Sequence, residues 1–476
     1  QVGPTSIPQT WDWCSGYHAS DSTVIGFSHT HLSGTGIGDL FDVTVMPVTG
    51  DVTYARGTED DPTSGLWSYA DRTQEIARPG YYSVPLTRYG IRAELTATAR
   101  VGLHRYTFPA SDAAAVVFDL ENGGCWDKAT ETHLAKEGDR TVTGWRHSTG
   151  WAKDQRVYFA AEFSKPFEKF ETIGDNYARA SFRTTDGEQV SLKVALSPVS
   201  VEGARENLAA ELPGWDFEET AKAADKAWND ELSKVKIETA DETARRIFYT
   251  ALYHTMIAPS LFCDVNGDYY GSDHAIHRNA DFTNYTTFSL WDTYRAAMPL
   301  MTVLHPEKMA DIVQTMLTIS DEQGRLPVWH LWGNETDCMV GNPGIPVVAD
   351  AIVKGIGGFD REKAFEAIRK TAMNPDRGNG LRMEYGYIPC EMFNEAVAYD
   401  MEYALADGAA ARAAETLGKA EDAKYFEERS HSYRNYFDPQ TGFMRGRDSK
   451  KGWRTPFNAF ASTHRADDYC EGNAWQ

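Results

Sequence analysis

The sequence has 476 residues, with 47 lysines and arginines against 69 aspartates and glutamates, which gives a formal net charge of −22. This length allows two or three domains with a sizeable buried core. Hydrophobic residues make up 42% and charged residues 24%, and these proportions exclude intrinsic disorder. No apolar run approaches the roughly 18 residues of a membrane-spanning helix. The negative charge argues against binding to nucleic acid or to an anionic membrane surface.

Six cysteines in 476 residues are too few for a disulfide framework, and none stands in a C-x-x-C pair. A zinc or redox motif is therefore not indicated. The first residues, Gln1-Val2-Gly3, carry neither a start methionine nor the basic start of a signal peptide. The last residues, Ala474-Trp475-Gln476, follow an acidic motif without a polar tail. From these two ends we expect the sequence to be incomplete at both termini.

The first two hundred residues are typical of β-structure. Residues 91–98 alternate between apolar and polar side chains, with Ile91, Ala93, Leu95 and Ala97 predicted on the buried face. Because many such runs follow one another with turn signals between them, we predict an antiparallel β-sandwich over residues 1–205. Further strands are predicted over 42–48, 81–86, 103–108, 116–120, 157–163 and 190–196.

The pattern changes near residue 205. Apolar residues recur at helical spacing from Phe217 to Val235, which predicts a linker helix within residues 206–236. Asp241 is the predicted N-cap of the next helix, which Pro259 ends. Helices separated by long loops fit a toroid of helical hairpins, so residues 237–476 are predicted to form an incomplete all-α domain. Later helices are predicted over 309–317, 345–357, 361–373, 395–417 and 421–436.

Four segments concentrate acids, aromatic residues and glycines. The first contains Trp11, Trp13, His29 and His31. Two histidines at i and i+2 on a strand would offer two metal ligands, but no third ligand is spaced to match. The simpler interpretation is a loop whose polar side chains hydrogen-bond to the loop's own backbone.

The second segment, 288–295, places Asp292 beside Trp291 and Arg295. This set suits a polyhydroxylated ligand, because a carboxylate accepts hydrogen bonds from vicinal hydroxyls while an aromatic ring covers the C–H face. The alternative is a helix N-cap, or an Asp292–Arg295 pair at i and i+3. The third segment, 329–339, contains Asp337 and Cys338. A packed cysteine explains Cys338 better than a nucleophile, since no neighbouring motif supplies a base.

The fourth segment, 467–476, holds three carboxylates. Burial raises the pKa of a carboxyl and prepares it to act as a general acid, and sugar hydrolysis needs a pair of carboxylates. Asp467 and Asp468 are predicted to lie in solvent, and Glu471 is predicted to be the buried acid. The four segments together predict a two-domain enzyme that acts on a carbohydrate.

Six segments resemble glycoside hydrolase family 92 and follow one another in that family's order. The family comprises calcium-dependent, exo-acting α-mannosidases, chiefly bacterial. The resemblance implies an N-terminal β-sandwich followed by an (α/α)6 barrel, which is incomplete over residues 237–476. This agrees with the order of a β domain and then an α domain that the residue pattern predicts independently. The segments are GFSHTHLSGTGIGDL (26–40), SLWDTYRA (289–296), LPVWHLWGNETDCMVG (326–341), VVADAIVKGI (347–356), YFDPQTGFMRGRD (436–448) and EGNAWQ (471–476).

The resemblance also implies roles for individual residues. Members of the family invert the anomeric configuration, and the glutamate of the EGN-W-Q motif is their general acid, which implies that role for Glu471. The aspartate of LWDTYRA contacts the terminal mannose, which implies that role for Asp292. Trp11 or Trp13 is a candidate for the sugar site. The remaining substrate-binding candidates are Arg295, Asp337 and Cys338.

The calcium of this family binds the 2- and 3-hydroxyls of mannose, and its ligands and the general base are expected beyond Gln476. A subset of the family cleaves mannosyl phosphodiesters and has glutamine in place of the acid, so Glu471 favours a mannosidase. The expected partners are mannose-containing glycans, with α-1,2 or α-1,3 linkages, outside the cell or at its surface. Two alternatives stay open: a non-catalytic mannose-binding protein, and a hydrolase or phosphorylase of another sugar.

Overall fold

A computed structural model describes residues 21–32, 38–58, 61, 63–123, 127–463 and 467–476. The predicted sugar-site residues Trp11 and Trp13 lie outside these described residues. The chain divides into two compact units. We call the first the β unit: it runs to Ile257 and also holds 261–270 and 276–280. We call the second the helical unit: it holds 258–260, 271–275 and the chain from Asp281 onward.

The β unit is built from antiparallel strands, as the alternating sequence predicts. They form an eight-stranded sheet in the order β4-β5-β6-β7-β14-β11-β10-β9 and a four-stranded sheet in the order β12-β13-β8-β2. The strands are β1 (Thr23–Val24), β2 (Thr44–Thr49), β3 (Ser68–Tyr69), β4 (Ile76–Arg78), β5 (Tyr81–Leu86), β6 (Ile91–Ala97), β7 (Val101–Phe108), β8 (Ser111–Asp119), β9 (Lys128–Glu137), β10 (Thr141–Thr149), β11 (Gln155–Phe163), β12 (Lys169–Ile173), β13 (Tyr177–Thr184) and β14 (Glu188–Ser197).

Aromatic side chains join the two sheets. Phe118 of β8 stacks on Phe159 of β11 with ring centroids 6.0 Å apart. Phe163 of β11 meets Phe182 of β13 at 5.3 Å. All four rings are almost completely buried. The two sheets therefore share one core, which is the arrangement of a β-sandwich.

Strand β6 departs from the predicted alternation. Ile91 and Ala93 are buried as expected, but Ala97 is exposed and Glu94 is buried. Glu94 tolerates burial because Arg105 donates two hydrogen bonds to it, each 2.8 Å long, and the Tyr81 hydroxyl donates a third of 2.9 Å. The strand is covered on both faces, so period-2 patterning does not distinguish its faces.

Three helices follow the sheets within the β unit: α1 (Val201–Glu211), α2 (Phe217–Leu232) and α3 (Glu242–His254). Asp216 caps α2 by accepting from the backbone N–H of Glu219. Asp241 caps α3, as predicted, by accepting from the first free N–H groups of that helix. The predicted linker helix exists as α2, whereas α1 was not predicted. The domain boundaries at residues 205 and 236 stay a prediction.

In the helical unit, α6, α7, α8, α10 and α11 contribute to an extended apolar core, and smaller clusters lie around Ile388 and Tyr436. Among the described residues, no helix is long and apolar enough to cross a membrane. The later helices are α4 (Leu290–Thr293), α5 (Ala297–Leu304), α6 (Pro306–Gln323), α7 (Gly344–Val353), α8 (Arg361–Ala372), α9 (Asn379–Tyr385), α10 (Ala396–Thr416) and α11 (Ala420–Arg429). Short strands are β15 (Ser260–Leu261), β16 (Tyr269–Tyr270), β17 (Ile276–His277), β18 (Tyr285–Thr286), β19 (Phe288–Ser289), β20 (Trp329–Leu331), β21 (Asn334–Glu335), β22 (Phe437–Asp438) and β23 (Phe443–Met444).

The helix predicted over 421–436 is shorter than expected. It ends at Arg429, and a separate 3-10 turn covers Ser432–Tyr436. The break is explained by Arg382, which donates to the backbone carbonyl of Arg429 and to the Ser432 hydroxyl, both at 3.0 Å. These contacts use groups at the end of the helix, so the chain turns there.

Candidate active site

The second predicted segment forms β19 and the four-residue helix α4. Asp292 lies exposed on α4, where its Oδ2 accepts a 2.5 Å hydrogen bond from the Ser289 hydroxyl. The N-cap of α4 is Ser289, so Asp292 is not an N-cap. Arg295 does not pair with Asp292 either, because its guanidinium reaches Glu402 at 3.0 Å. Neither alternative use of Asp292 is present in the structure.

Three neighbours of Asp292 donate hydrogen bonds to one mostly buried carboxylate, that of Glu402. Glu402 accepts hydrogen bonds from Trp291 Nε1 at 3.0 Å, from the Tyr294 hydroxyl at 2.7 Å and from Arg295 Nη2 at 3.0 Å. Burial and the adjacent Glu402 raise the pKa of Tyr294, so its hydroxyl keeps its proton and donates. Within this segment, Asp292 is the acidic side chain left facing solvent.

The third segment folds around Glu335, whose side chain is mostly buried. Its carboxylate accepts from the backbone N–H groups of Val328, Trp329 and Asp337 at 2.8 to 3.0 Å. Burial would raise the pKa of Glu335, but Arg325 and these N–H donors outweigh it and lower that pKa. An ionised carboxylate therefore holds the loop from inside, which is a structural use of this acid.

Asp337 and Cys338 lie at the end of the same loop. Asp337 Oδ1 accepts from Arg325 and lies 3.5 Å from Arg377 Nε, and its side chain is half exposed. Its backbone has a positive φ of 54°, an uncommon conformation that the surrounding contacts maintain. Cys338 is half-buried and is not part of a disulfide. The structure thus places Asp337 at the surface, with two arginines beside it.

The fourth segment reverses the predicted burial of its acids. Asp468 is buried, whereas Glu471 is exposed. Arg454 donates to both oxygens of Asp468, at 2.6 and 2.8 Å, and this bidentate pair allows Asp468 to be buried. Asp467 accepts from the backbone N–H groups of Thr463 and Tyr469. The expectation of two solvated aspartates and a buried Glu471 was wrong.

Glu471 is the acid of this segment that no protein donor occupies. Its carboxylate accepts no hydrogen bond from the part of the chain that is described, and its backbone has a positive φ of 50°. The neighbouring Cys470 thiol lies near Glu395, whose Oε1 is buried without a hydrogen-bond partner among the described residues. Burial, with Glu395 adding to it, raises the pKa of the Cys470 thiol. A raised pKa keeps the thiol protonated at neutral pH, which does not favour a nucleophilic role for Cys470.

The first segment contributes a hydrogen-bonded histidine pair to the β unit. His29 Nδ1 donates to the Val43 carbonyl at 2.6 Å, so His29 Nε2 accepts from His104 Nε2 at 2.8 Å. The Tyr106 hydroxyl then donates to His104 Nδ1 at 2.7 Å. Burial lowers the pKa of His29 to about 4 and that of His104 as well. Both nitrogens of His29 are used, which excludes it as a metal ligand.

Two sequence profiles cover nearly the whole chain. Residues 1–197 match the glycosyl hydrolase family 92 N-terminal domain, and residues 203–476 match the glycosyl hydrolase family 92 catalytic domain. The chain belongs to glycosyl hydrolase family 92. The predicted order, a β domain followed by a helical domain, is confirmed by this match and by the similarity to solved structures given next.

The chain is similar to solved mannosidases of this family. An α-mannosidase from Bacteroides thetaiotaomicron is 39% identical with a TM-score of 0.94, and the match covers 99% of this chain and 66% of that one. The same enzyme has been solved with mannoimidazole. An inverting mannosidase from that organism is 29% identical with a TM-score of 0.86, over 97% of this chain and 64% of that one.

A curated relative comes from the fungus Arthroderma benhamiae and bears the name uncharacterized secreted glycosidase. It is 26% identical over 492 residues, which cover 91% of this chain and 59% of that protein. The chain therefore spans between 59% and 66% of the length of these relatives.

The sequence alone did not identify Glu335 and Glu402 as the mostly buried glutamates that hold the third and the second segment, respectively. Glu335 lies within a segment that drew attention for other residues. Glu402 lies in α10, 107 residues after Arg295, in an alanine-rich stretch with no local signal. Only the tertiary structure brings Glu402 to the Trp291–Arg295 segment.

Proposed function

We propose that this chain is the sugar-binding and acid-bearing part of an exo-acting, anomer-inverting α-mannosidase. The observation that carries the proposal is the distribution of protein donors over the acids of the second and fourth segments. Asp467 and Asp468 of the fourth segment accept hydrogen bonds from donors of the protein itself, and so does Glu402, the α10 carboxylate bound to the second segment. Asp292 and Glu471 keep oxygens available for a ligand. These two are the residues to which the family resemblance gives sugar contact and proton donation.

The chemistry of an inverting glycosidase requires one carboxylic acid and one carboxylate. In this proposal Glu471 protonates the glycosidic oxygen as the bond to the leaving sugar breaks. Asp292 accepts hydrogen bonds from hydroxyls of the terminal mannose and fixes the ring. A second carboxylate activates water on the opposite face of the ring, and we assign that role to no residue of this chain.

The substrate is a terminal α-linked mannose, most simply in an α-1,2 or α-1,3 linkage of mannan or an N-glycan. Glu471 favours a sugar leaving group, because an alkoxide leaving group needs a proton and a phosphate does not. A mannosyl phosphodiester is therefore the less favoured substrate. Polymeric and glycoprotein substrates of this kind lie outside the cell or on its surface, and we propose the same location for the protein.

Calcium is the cofactor that the family resemblance implies. Calcium takes six to eight oxygen ligands. In the helical unit, Asp273 and Glu322 bring ligand atoms within 4.8 Å of one another. Glu335 and Glu402 already accept from protein donors. One pair of carboxylates does not make a calcium shell, so these residues do not fit the ion by themselves and no step is derived through it.

The proposal is tested by mannose release from α-1,2- and α-1,3-mannobiose by the full-length protein, with and without a chelator. We expect mannose to be released, release to stop with chelator, and added calcium to restore it. Release that persists in chelator would contradict the calcium requirement but would still support mannosidase activity. Mannose binding without release would instead favour the non-catalytic mannose-binding alternative. Release of another sugar, or release that depends on inorganic phosphate, would contradict the proposal.

A further inference from the structure

Glu402 lies on α10, far in sequence from both segments that bear the predicted sugar-binding residues. Its side chain is 18% exposed. Oε1 accepts from Trp291 Nε1 and Arg295 Nη2, each at 3.0 Å, and Oε2 accepts from the Tyr294 hydroxyl at 2.7 Å. One carboxylate thus binds three side chains that flank Asp292 on both sides.

These contacts are reinforced within the segment. Arg295 also donates to the backbone carbonyl of Trp291 at 3.0 Å. Its guanidinium lies over the rings of Trp291 and Tyr294, at 5.3 and 4.6 Å from their centroids. Because Arg295 is the cation that balances Glu402, removal of Glu402 frees the arginine as well as the two aromatic side chains.

The loop after the third segment also rests on Glu402. Gly341 has a φ of +79°, and a Cβ added there would lie 2.4 Å from the Cβ of Glu402. This close approach requires glycine at position 341. Glu402 is therefore in contact with the end of the Trp329–Gly341 loop and with the helix that carries Asp292.

Helix α4 has little stability of its own. It has four residues, from Leu290 to Thr293, and its N-cap Ser289 makes no side-chain cap to the backbone. A helix of this length does not form without tertiary contacts. The three hydrogen bonds to Glu402 supply such contacts on either side of Asp292.

We infer that Glu402 is a positioning residue for sugar binding, which acts through Asp292 and contacts no substrate itself. This inference rests on the proposed function. Glu402 holds α4 in register, so that the Asp292 carboxylate meets the hydroxyls of the terminal sugar in one orientation. A displacement of about 1 Å at such a site costs on the order of 100-fold in rate.

The test is a double-mutant cycle in the full-length protein with Asp292→Ala, Glu402→Ala and the double variant. We expect Glu402→Ala to lower kcat/KM on mannobiose by roughly 30- to 100-fold, mainly through a higher KM. The double variant is expected to match Asp292→Ala within about threefold, because Glu402 has no effect once Asp292 is gone. Glu415→Ala, on the exposed side of α10, is the control and should retain wild-type kinetics.

Glu402→Gln keeps the size of the side chain and separates positioning from folding. Its amide oxygen still accepts from Trp291 and Arg295, and its NH2 group donates to the Tyr294 hydroxyl, which turns to accept. We expect a fall of only about tenfold, because Arg295 loses its counter-charge. Wild-type kinetics in a folded Glu402→Ala or Glu402→Gln variant would overturn the inference. It would also be overturned if the loss of kcat/KM in the double variant equalled the product of the losses in Asp292→Ala and Glu402→Ala.

Failure of the proposed function gives a different pattern from failure of this inference. If the wild type releases no mannose, the function fails, and the same cycle is then measured as mannoimidazole affinity. A loss of affinity in Glu402→Ala that disappears in the Asp292→Ala background would still support positioning. If the wild type is active and Asp292→Ala retains wild-type kinetics, the sugar-binding role of Asp292 and the positioning role of Glu402 are both wrong.

Discussion

The second and fourth predicted segments each contain several polar side chains, but the protein uses them in opposite ways. Around Asp292, the aromatic and basic neighbours are bound to one remote carboxylate, Glu402. Around Glu471, the neighbouring acids are themselves bound, with Asp468 paired to Arg454 and buried. The segment around Asp292 is held by Glu402, an acid from outside that segment. The segment around Glu471 is held by its own acids, Asp467 and Asp468.

The difference teaches how to recognise a functional acid in a motif that contains several. Asp468 and Glu402 each accept from an arginine and are mostly buried, so they maintain structure. Glu471 and Asp292 are exposed, and they accept few hydrogen bonds from the described residues. Water solvates such a charge until a ligand covers it, and covering it then costs free energy unless the ligand supplies hydrogen bonds. In the proposed function, the acid with the fewest donors among the described residues is the one that meets the substrate.

The largest effect is expected for Glu471→Gln. On mannobiose, turnover should fall by about 10³-fold, because the glutamine cannot protonate the leaving oxygen. On dinitrophenyl α-mannoside, whose leaving group needs no proton, the fall should be less than about tenfold. Steady-state rates on the two substrates give the comparison directly, and equal losses on both would remove Glu471 from the role of general acid.

Asp292→Asn should weaken binding of the sugar and leave the structure intact. We expect kcat/KM to fall by about 100-fold on both substrates, since charge-assisted hydrogen bonds contribute about 1.5–3 kcal/mol each. Asp321→Asn, an exposed aspartate paired with Lys363 on the surface, is the matched control and should change little. An unchanged KM in Asp292→Asn would argue that the side chain does not touch the sugar.

Asp468→Asn should act on stability and not on the chemistry. Loss of the charge opposite Arg454 is expected to lower the free energy of unfolding by about 2 kcal/mol. Any loss of activity should be the same on mannobiose and on dinitrophenyl α-mannoside, unlike that of Glu471→Gln. Urea titration followed by tryptophan fluorescence measures the first effect. A leaving-group dependence for Asp468→Asn would mean that the two acids have been assigned the wrong way round.

The β unit supplies a third arrangement, in which two buried acids share one arginine. Arg146 Nη1 lies 2.7 Å from oxygens of both Asp42 and Asp127, and Asp39 lies nearby. Burial raises the pKa of Asp127 to about 6; Arg146 opposes the rise, and Asp42 and Asp39 add to it. Between the ordinary aspartate pKa and about pH 6, the folded state therefore holds a proton that the unfolded state has released.

Because the folded-state pKa of Asp127 is raised, its contribution to stability is full below the ordinary aspartate pKa and is lost as pH rises through about 6. Between pH 5 and 7 the loss should be about 1 kcal/mol. We expect Asp127→Asn to remove this part of the pH dependence in denaturant titrations. Asp139→Asn, at an exposed position, should keep it. Parallel curves for wild type and Asp127→Asn would contradict the raised pKa.

The sequence predicts β2, β5, β6, β7, β8, β11 and β14, and it misses strands both inside a sheet, such as β10 and β13, and at an edge. Strand β9, the last strand of the large sheet, was not predicted. Its residues 128–137 are mostly polar, and the strand is largely exposed, so no apolar period marks it. In β6 the alternating pattern predicts Glu94 on the exposed face. Glu94 is buried instead, because Arg105 donates hydrogen bonds to its carboxylate.

The candidate site was predictable as a set of segments but not as a set of contacts. Asp292 and Glu471 stand in recognisable motifs, whereas Glu402 joins the site only through the tertiary fold. The burial of Asp468 depends on Arg454, 14 residues earlier, and no local pattern announces that pair. Burial of a charged residue depends on its partner, so it is the least predictable property of such a motif.

The most direct test of the central claim is a proton NMR time course of α-1,2-mannobiose with the full-length protein. An inverting exo-α-mannosidase releases mannose whose first-formed anomer is β, before mutarotation equilibrates it. We predict a β-mannose signal for the wild type that is absent for Glu471→Gln. α-Mannose as the first product, or the same rate of release in both proteins, would contradict the account.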